Sequence, residues 1–235
     1  MIKTKKTNSI KKTKWDSQLT EKSIVHQNEW KQFWEINQCV PSAYTYNLTI
    51  CDAPKFVWFR NAKVASRSTF AALEAAGVEL IAETPFGCYY PPQKYVDYFK
   101  FAFVRNPWDR FVSGWLNKVV LKNAFKFDAQ AWVEMQNFDR FVEYYSGLDL
   151  DTCNSHFRRQ CKLIDLNELD FVGRLEHFDE DIKEVFRILA LPDVPIPHKN
   201  MSQRKDSYHS FYSDYSKQMI EKMYQKDIRL FGYSF

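Results

Sequence analysis

The chain has 235 residues, 45% of them apolar and 26% charged, a balance that supports one sizeable core and argues against two full domains. The net charge of +4 sits at one end: residues 1–14 hold six lysines and no acid, and the remainder carries 27 basic residues against 29 acidic ones, which argues against a general nucleic-acid-binding surface. No apolar run approaches the roughly 18–20 residues that span a bilayer, and no secretory signal follows the basic N-terminus. The five cysteines are irregularly spaced and read as reduced thiols, so a cytoplasmic protein is expected.

In chain order, residues 1–20 read as a flexible basic tail and 21–235 as a single domain. Val25, Trp30, Phe33 and Trp34 suit a short helix over 25–36, and residues 41–54 look irregular. Residues 56–60, reading FVWFR, form a short apolar-aromatic run typical of a buried strand. After a polar loop, Ser66 stands as N-cap before a helical run that Gly77 closes. A strand, a tight loop and a helix start together gather free backbone N–H groups and the positive end of a helix dipole at one point. Such a junction binds anions, phosphates above all. Lys63 adds a mobile positive charge, and Ser66, Ser68 and Thr69 add hydroxyl donors. The loop has no glycine, so it is not the GxxxxGK[ST] loop of nucleoside triphosphate enzymes.

Val78–Ile81 reads as a second short strand, followed by a Pro/Gly/Tyr-rich loop over 84–93. Phe101–Val104 reads as another buried strand, and Pro107 suits the first turn of a helix. Trp108, Phe111, Val112, Trp115, Leu116, Val119 and Val120 then recur at i, i+3, i+4, i+7, i+8, i+11 and i+12, the pattern of an amphipathic helix. Arg105 is left at the strand's end. Ser113 falls on the same helical face as Asn106, so Arg105 and Ser113 can reach one point. Arg110 is expected to pair with an acid in its own helix. One or two helices over 127–145, a strand at Phe171–Val172, a helix over Phe178–Leu189 and a last helix over 214–230 complete an α/β pattern with a mainly parallel sheet.

The loop Ala62-Lys63-Val64-Ala65-Ser66-Arg67-Ser68 resembles the PKxxSTS-like segment of the sulfotransferase superfamily, and Arg105 to Trp115, reading RNPWDRFVSGW, resembles its RDPxxRxxSxY segment. With Ser155-His156-Phe157, the run Asp170 to Glu176 (DFVGRLE) and Phe231-Gly232-Tyr233, the chain is similar to the carbohydrate-type branch, the Golgi-like carbohydrate sulfotransferases, over residues 55–235, here without a membrane anchor. The resemblance implies a P-loop-like three-layer α/β/α sandwich with a mainly parallel central sheet. It also implies a donor, 3′-phosphoadenosine 5′-phosphosulfate, and an acceptor hydroxyl, most naturally of a saccharide. Lys63, Val64, Ala65, Ser66, Arg67, Ser68 and Thr69 would hold the 5′-phosphosulfate, and Arg105 and Ser113 the 3′-phosphate. Arg204 and Lys205 would close over that phosphate. Ala62, Asn106, Arg67 and Trp115 depart from the usual Pro, Asp, hydroxyl and Tyr of the pattern.

A donor charged at both ends needs two separate anion sites, and sulfuryl transfer, like phosphoryl transfer, rests on positioning and charge stabilisation. Lys63 would offset charge on the leaving phosphate, so no metal is expected. Cys153, His156 and Cys161 lack the paired spacing of a metal site. His156 is the first candidate for the base that takes the acceptor's proton, with Glu83 second. Trp132 or Tyr89-Tyr90 are candidates for stacking on the acceptor, although most aromatic residues are expected in the core. Two other readings stay open: a nucleotide kinase-like phosphotransferase and a nucleotide-binding protein of the same fold without activity.

Overall fold

Alternation along two adjacent strands decides how the rest of the molecule packs. In β2 (Lys55–Phe59) and β4 (Phe99–Val104), Val57, Phe59, Ala102 and Val104 bury into one core, while Phe56, Trp58, Phe101 and Phe103 bury into another. All eight are completely buried. Strands apolar on both faces must be covered on both faces, which is the condition for a parallel sheet between two helical layers. The computed structural model describes residues 16–84, 87–196 and 207–235.

The sheet has five strands in the order β3-β1-β2-β4-β5, where β1 is Leu48–Asp52, β3 is Ala82–Glu83 and β5 is Phe171–Arg174. β2 pairs parallel with β4, and β4 with β5, whereas β1 runs antiparallel to both neighbours. Four of the five strands therefore point the same way. Helices α2 (Ser66–Ala75) and α6 (Phe178–Ile188) bury Ala72, Leu73, Ile182 and Val185 against the Trp58 face. Helix α1 (Asp16–Asn37) covers the other face through Trp30. This is the P-loop-like α/β/α arrangement. A third cluster joins α3 (Pro107–Trp115), α5 (Phe138–Ser146), which follows the short α4 (Ala129–Met135), and α7 (Asp214–Met223) around Phe111, Phe141, Phe157 and Tyr224.

Several boundaries differ from the sequence expectations. α1 begins at Asp16, inside the expected tail, because a helix nucleated where Trp30 packs extends cheaply toward its N-terminus. Residues 1–15 lie outside the described residues. The stretch 41–54 is not irregular throughout: it contains β1, whose Thr49 is as buried as its apolar neighbours, so no polar/apolar alternation marks it. The strand expected at Val78–Ile81 falls instead at Ala82–Glu83, a two-residue edge set by pairing with Thr49 and Ile50. The helix expected to run from Pro107 to Val120 changes at Leu116 into a π-helical turn over Leu116–Val120. The last helix is two, α7 and α8 (Gln225–Phe231). Among the described residues no helix is long and apolar enough to cross a membrane.

Gly173 shows how tightly β5 and β4 fit. A Cβ built there would stand 2.5 Å from Phe103 Cε1 and 2.7 Å from its Cδ1, in the middle of the core. Overpacking of this kind costs about 1–3 kcal/mol. Gly173→Ala should therefore lower the melting temperature by several degrees in calorimetry, with no change in Tm contradicting the packing described.

Candidate active site

Because β2 and β4 are adjacent and parallel, the loops that leave their C-terminal ends lie side by side. The first, residues 60–65, turns with two non-glycine residues in the left-handed region, Lys63 at φ 71° and Ala65 at φ 59°. Val64 between them is completely buried against the Trp58 core, so it pins the loop by its side chain and offers only its backbone outward. Ser66 is not the N-cap expected from sequence. Ala65 occupies that position without a side-chain cap, and the Ser66 hydroxyl donates back to the Asn61 carbonyl at 3.2 Å. Among the described residues the N–H groups of Lys63, Val64, Ala65, Ser66 and Arg67 donate to no protein acceptor. Ser68 and Thr69 are buried in the first turn, Thr69 bonded to the Ala65 carbonyl, and Arg67 is exposed.

The second loop is held by a side chain that imitates a strand. Gln160 accepts from the Arg105 N–H at 2.9 Å and donates to the Arg105 carbonyl at 2.8 Å, just past the end of β4. Asn106 then caps α3, its oxygen accepting from the Trp108 N–H at 3.0 Å. The Arg105 guanidinium is nearly buried. It grips Asp109 at 2.7 and 2.9 Å and donates to the Lys63 carbonyl at 3.1 Å, so it joins the two loops directly. Ser113 lies one helical turn beyond Asp109, and its hydroxyl makes no hydrogen bond among the described residues.

Arg110 does not pair with an acid of its own helix. Its side chain is 2% exposed and donates from Nε to the Ala62 carbonyl at 3.0 Å, from Nη1 to the Arg158 carbonyl at 2.8 Å and from Nη2 to the Ser155 carbonyl at 2.9 Å. This brings the segment carrying His156 to the Lys63 loop. The Asn154 side-chain oxygen accepts from both the backbone N–H and Nδ1 of His156, at 3.0 and 2.9 Å. Nδ1 therefore carries the proton, and Nε2 keeps its lone pair. Glu83 is placed differently. It is paired with Arg60 at 2.6 Å on the β3 edge, whereas His156 feels the positive charge of Lys118, Arg110, Lys63 and Lys122.

Charge at the site is unbalanced. Burial, then Arg105, Lys118, Lys122 and Arg110, lowers the Lys63 pKa to about 8. Burial, then Lys118, Arg110, Lys63 and Lys122, lowers that of His156 to about 3. Lys118, on the π-helical turn, is itself lowered by burial and by Lys122. Neither Lys118 nor Lys122 has an ion-pair partner among the described residues. Nothing in a single sequence separated these two from ordinary solvated lysines. Arg204 and Lys205 lie outside the described residues. Of the candidate stacking residues, Tyr90 is completely buried, Tyr89 is exposed, and Trp132 shows part of its ring while its N–H bonds the Val119 carbonyl. Among the described residues no cluster of His, Cys, Asp or Glu suits a metal ion.

The donor set is that of an anion site: five free amides and a lysine at a helix start, with Lys118 and Lys122 nearby and, among the described residues, no acid paired with any of the three lysines. The model of the sulfotransferase family matches residues 89–234, which include Arg105, Ser113 and His156 but not the Lys63 loop. Carbohydrate sulfotransferase 12 of Mus musculus is 28% identical over 170 residues, 58% of this chain and 40% of its own length. The chain thus aligns with less than half of that relative. No solved structure matches.

Lys63 must be protonated to hold an anion, and its pKa in the empty site is about 8. The affinity for adenosine 3′,5′-bisphosphate should therefore be nearly flat from about pH 7 to 8 and fall above that, by up to about tenfold per unit. The phosphates are already ionised there, with second pKa values near ~6. Isothermal titration at pH 7 and pH 9.5 checks this, and Lys63→Ala should flatten the profile. A wild-type affinity independent of pH would contradict it.

Proposed function

The chain belongs to the sulfotransferase family, and from that premise we propose that it transfers a sulfuryl group from 3′-phosphoadenosine 5′-phosphosulfate to a hydroxyl of a saccharide. The observation that carries this reading is the group of Lys63, Lys118 and Lys122, unpaired among the described residues, beside the amides of residues 63–67 that donate to no described acceptor. The carbohydrate in the mouse relative's name supports a saccharide acceptor.

The chemistry assigns a part to each residue. The bond between sulfur and the 5′-phosphate oxygen breaks, a bond from sulfur to the acceptor oxygen forms, and the hydroxyl proton passes to Nε2 of His156. Lys63 and the amides at the start of α2 stabilise the charge left on the phosphate. Arg105 and Ser113 hold the 3′-phosphate, with Arg67, Ser68 and Thr69 at the start of α2 beside the Lys63 loop. An imidazole with pKa about 3 is a weak base in the empty site. Bound phosphates would relieve the repulsion from the surrounding cations and strengthen it. The glycine-free loop disfavours a kinase-like phosphotransferase, and Asp109, the acid on the first turn of α3, is held by Arg105.

Adenosine 3′,5′-bisphosphate at ~100 times its Kd should stabilise the protein by about 2.7 kcal/mol without Mg²⁺. A larger shift with ATP and Mg²⁺ would point to the kinase-like alternative. In a labelled-sulfate transfer assay over a panel of oligosaccharides, Lys63→Ala should lower kcat by about 10²–10³ and change donor KM less. Arg105→Ala should act mainly on donor KM, since its phosphate lies remote from the reacting bond. Equal effects of the two substitutions on both constants would overturn this division. His156→Ala should cost about 10²–10⁴ in kcat with donor affinity kept.

A further inference from the structure

We propose that Arg110 is the positioning residue of the site: carried on α3, its guanidinium sets the segment bearing His156 at a fixed place against the loop bearing Lys63. The role given to His156 rests on the function proposed above, but the tie made by Arg110 does not.

Three hydrogen bonds from one planar group define the placement. Nε takes the carbonyl of Ala62, the neighbour of Lys63, while Nη1 and Nη2 take the carbonyls of Arg158 and Ser155 on either side of His156. The guanidinium is rigid, so the Lys63 loop and the His156 segment cannot move apart without breaking a bond in a site 2% exposed to water. A second contact from the same helix acts in the same sense. Gly114 lets α3 approach until its missing Cβ would stand 2.8 Å from Phe157 Cε1 and 3.5 Å from the His156 carbonyl. The Phe157 ring is completely buried among Phe111, Phe141 and Tyr145, and its carbonyl accepts from the Tyr224 hydroxyl. The backbone on both sides of His156 is thereby fixed, and Asn154 orients the ring. The positive charges acting on His156 are those of Lys118 on the π-helical turn, Arg110 on α3, Lys63 on the loop and Lys122.

Arg110→Lys keeps the charge and removes the fork. Its effect is read from the His156 Cε1–H resonance, titrated in the ligand-free protein, and from kcat in the transfer assay. Ile50→Ala, in β1 two strands from β4, serves as a control for general destabilisation. With the segment released toward water, His156 should titrate at least one pH unit higher than in the wild type. The kcat should fall at least tenfold further than in Ile50→Ala, compared at a temperature where both are folded. A merely structural arginine predicts an unchanged titration and a kcat equal to that of the control, and that result would overturn the proposal. If Arg110→Lys does not fold, Gly114→Ala displaces the same segment from the same helix and should raise the His156 titration likewise. An unchanged titration there would count equally against it. If the wild-type protein transfers no sulfuryl group to any acceptor, the proposed function fails, and the titration alone still decides the role of Arg110.

Discussion

A single buried guanidinium holds the candidate site together. Among the described residues Arg110 has no carboxylate paired with it, yet its charge is tolerated because three carbonyls accept from its guanidinium. Removing it would leave those carbonyls buried and unpaired, at about 1–3 kcal/mol each. Leaving the arginine while separating its partners would strand a charge, which costs more. Both errors are expensive, so the geometry at the C-terminal ends of β2 and β4 is sharply defined. Arg105 adds a second link between the same loops through the Lys63 carbonyl, and Gln160 fixes Arg105 by both backbone groups.

The site stores repulsion that an anion relieves. Lys63 and His156 are both pushed toward their neutral forms, by burial first and then by a shared set of cations. Placing Lys63, Lys118 and Lys122 together, with no ion-pair partner among the described residues, costs stability in the empty protein. That cost would return as affinity for an anion, because the lysines would gain a partner and Lys63 would hold its proton more firmly. Asp109 is the exception: spent on Arg105, it aims that guanidinium rather than opposing an anion.

The loop achieves with alanine and lysine what a glycine-rich loop does by permissiveness. A left-handed conformation costs a residue with a Cβ roughly 1–2 kcal/mol, and Lys63 and Ala65 both adopt it. The burial of Val64 between them and the bond from Arg105 to the Lys63 carbonyl offset this. In this conformation the amides of residues 63–67 find no protein acceptor among the described residues. Rigidity from packing here replaces freedom from glycine.

Much of this was legible in the chain. The aromatic runs of β2 and β4, the i, i+3, i+4 pattern of α3 and the closure of α2 near Gly77 are local signals. They place Lys63 and Arg105 at strand–helix junctions without reference to the rest of the fold. The parallel pairing that sets those junctions side by side also follows from strands apolar on both faces. Other features depend on partners far away in sequence, and no local pattern encodes them. β1 is a strand because β2 and β3 pair with it, and Arg110 is a tie because Ser155 and Arg158 come to lie across from it. Lys118 and Lys122 matter because a loop some 55 residues earlier brings Lys63 to them. Residue type and periodicity fixed which groups stand at the ends of elements. Only the packing of α3 against the loop and the 155–158 segment decided which of those groups meet, since a hydrogen bond is made across space between atoms the sequence keeps apart.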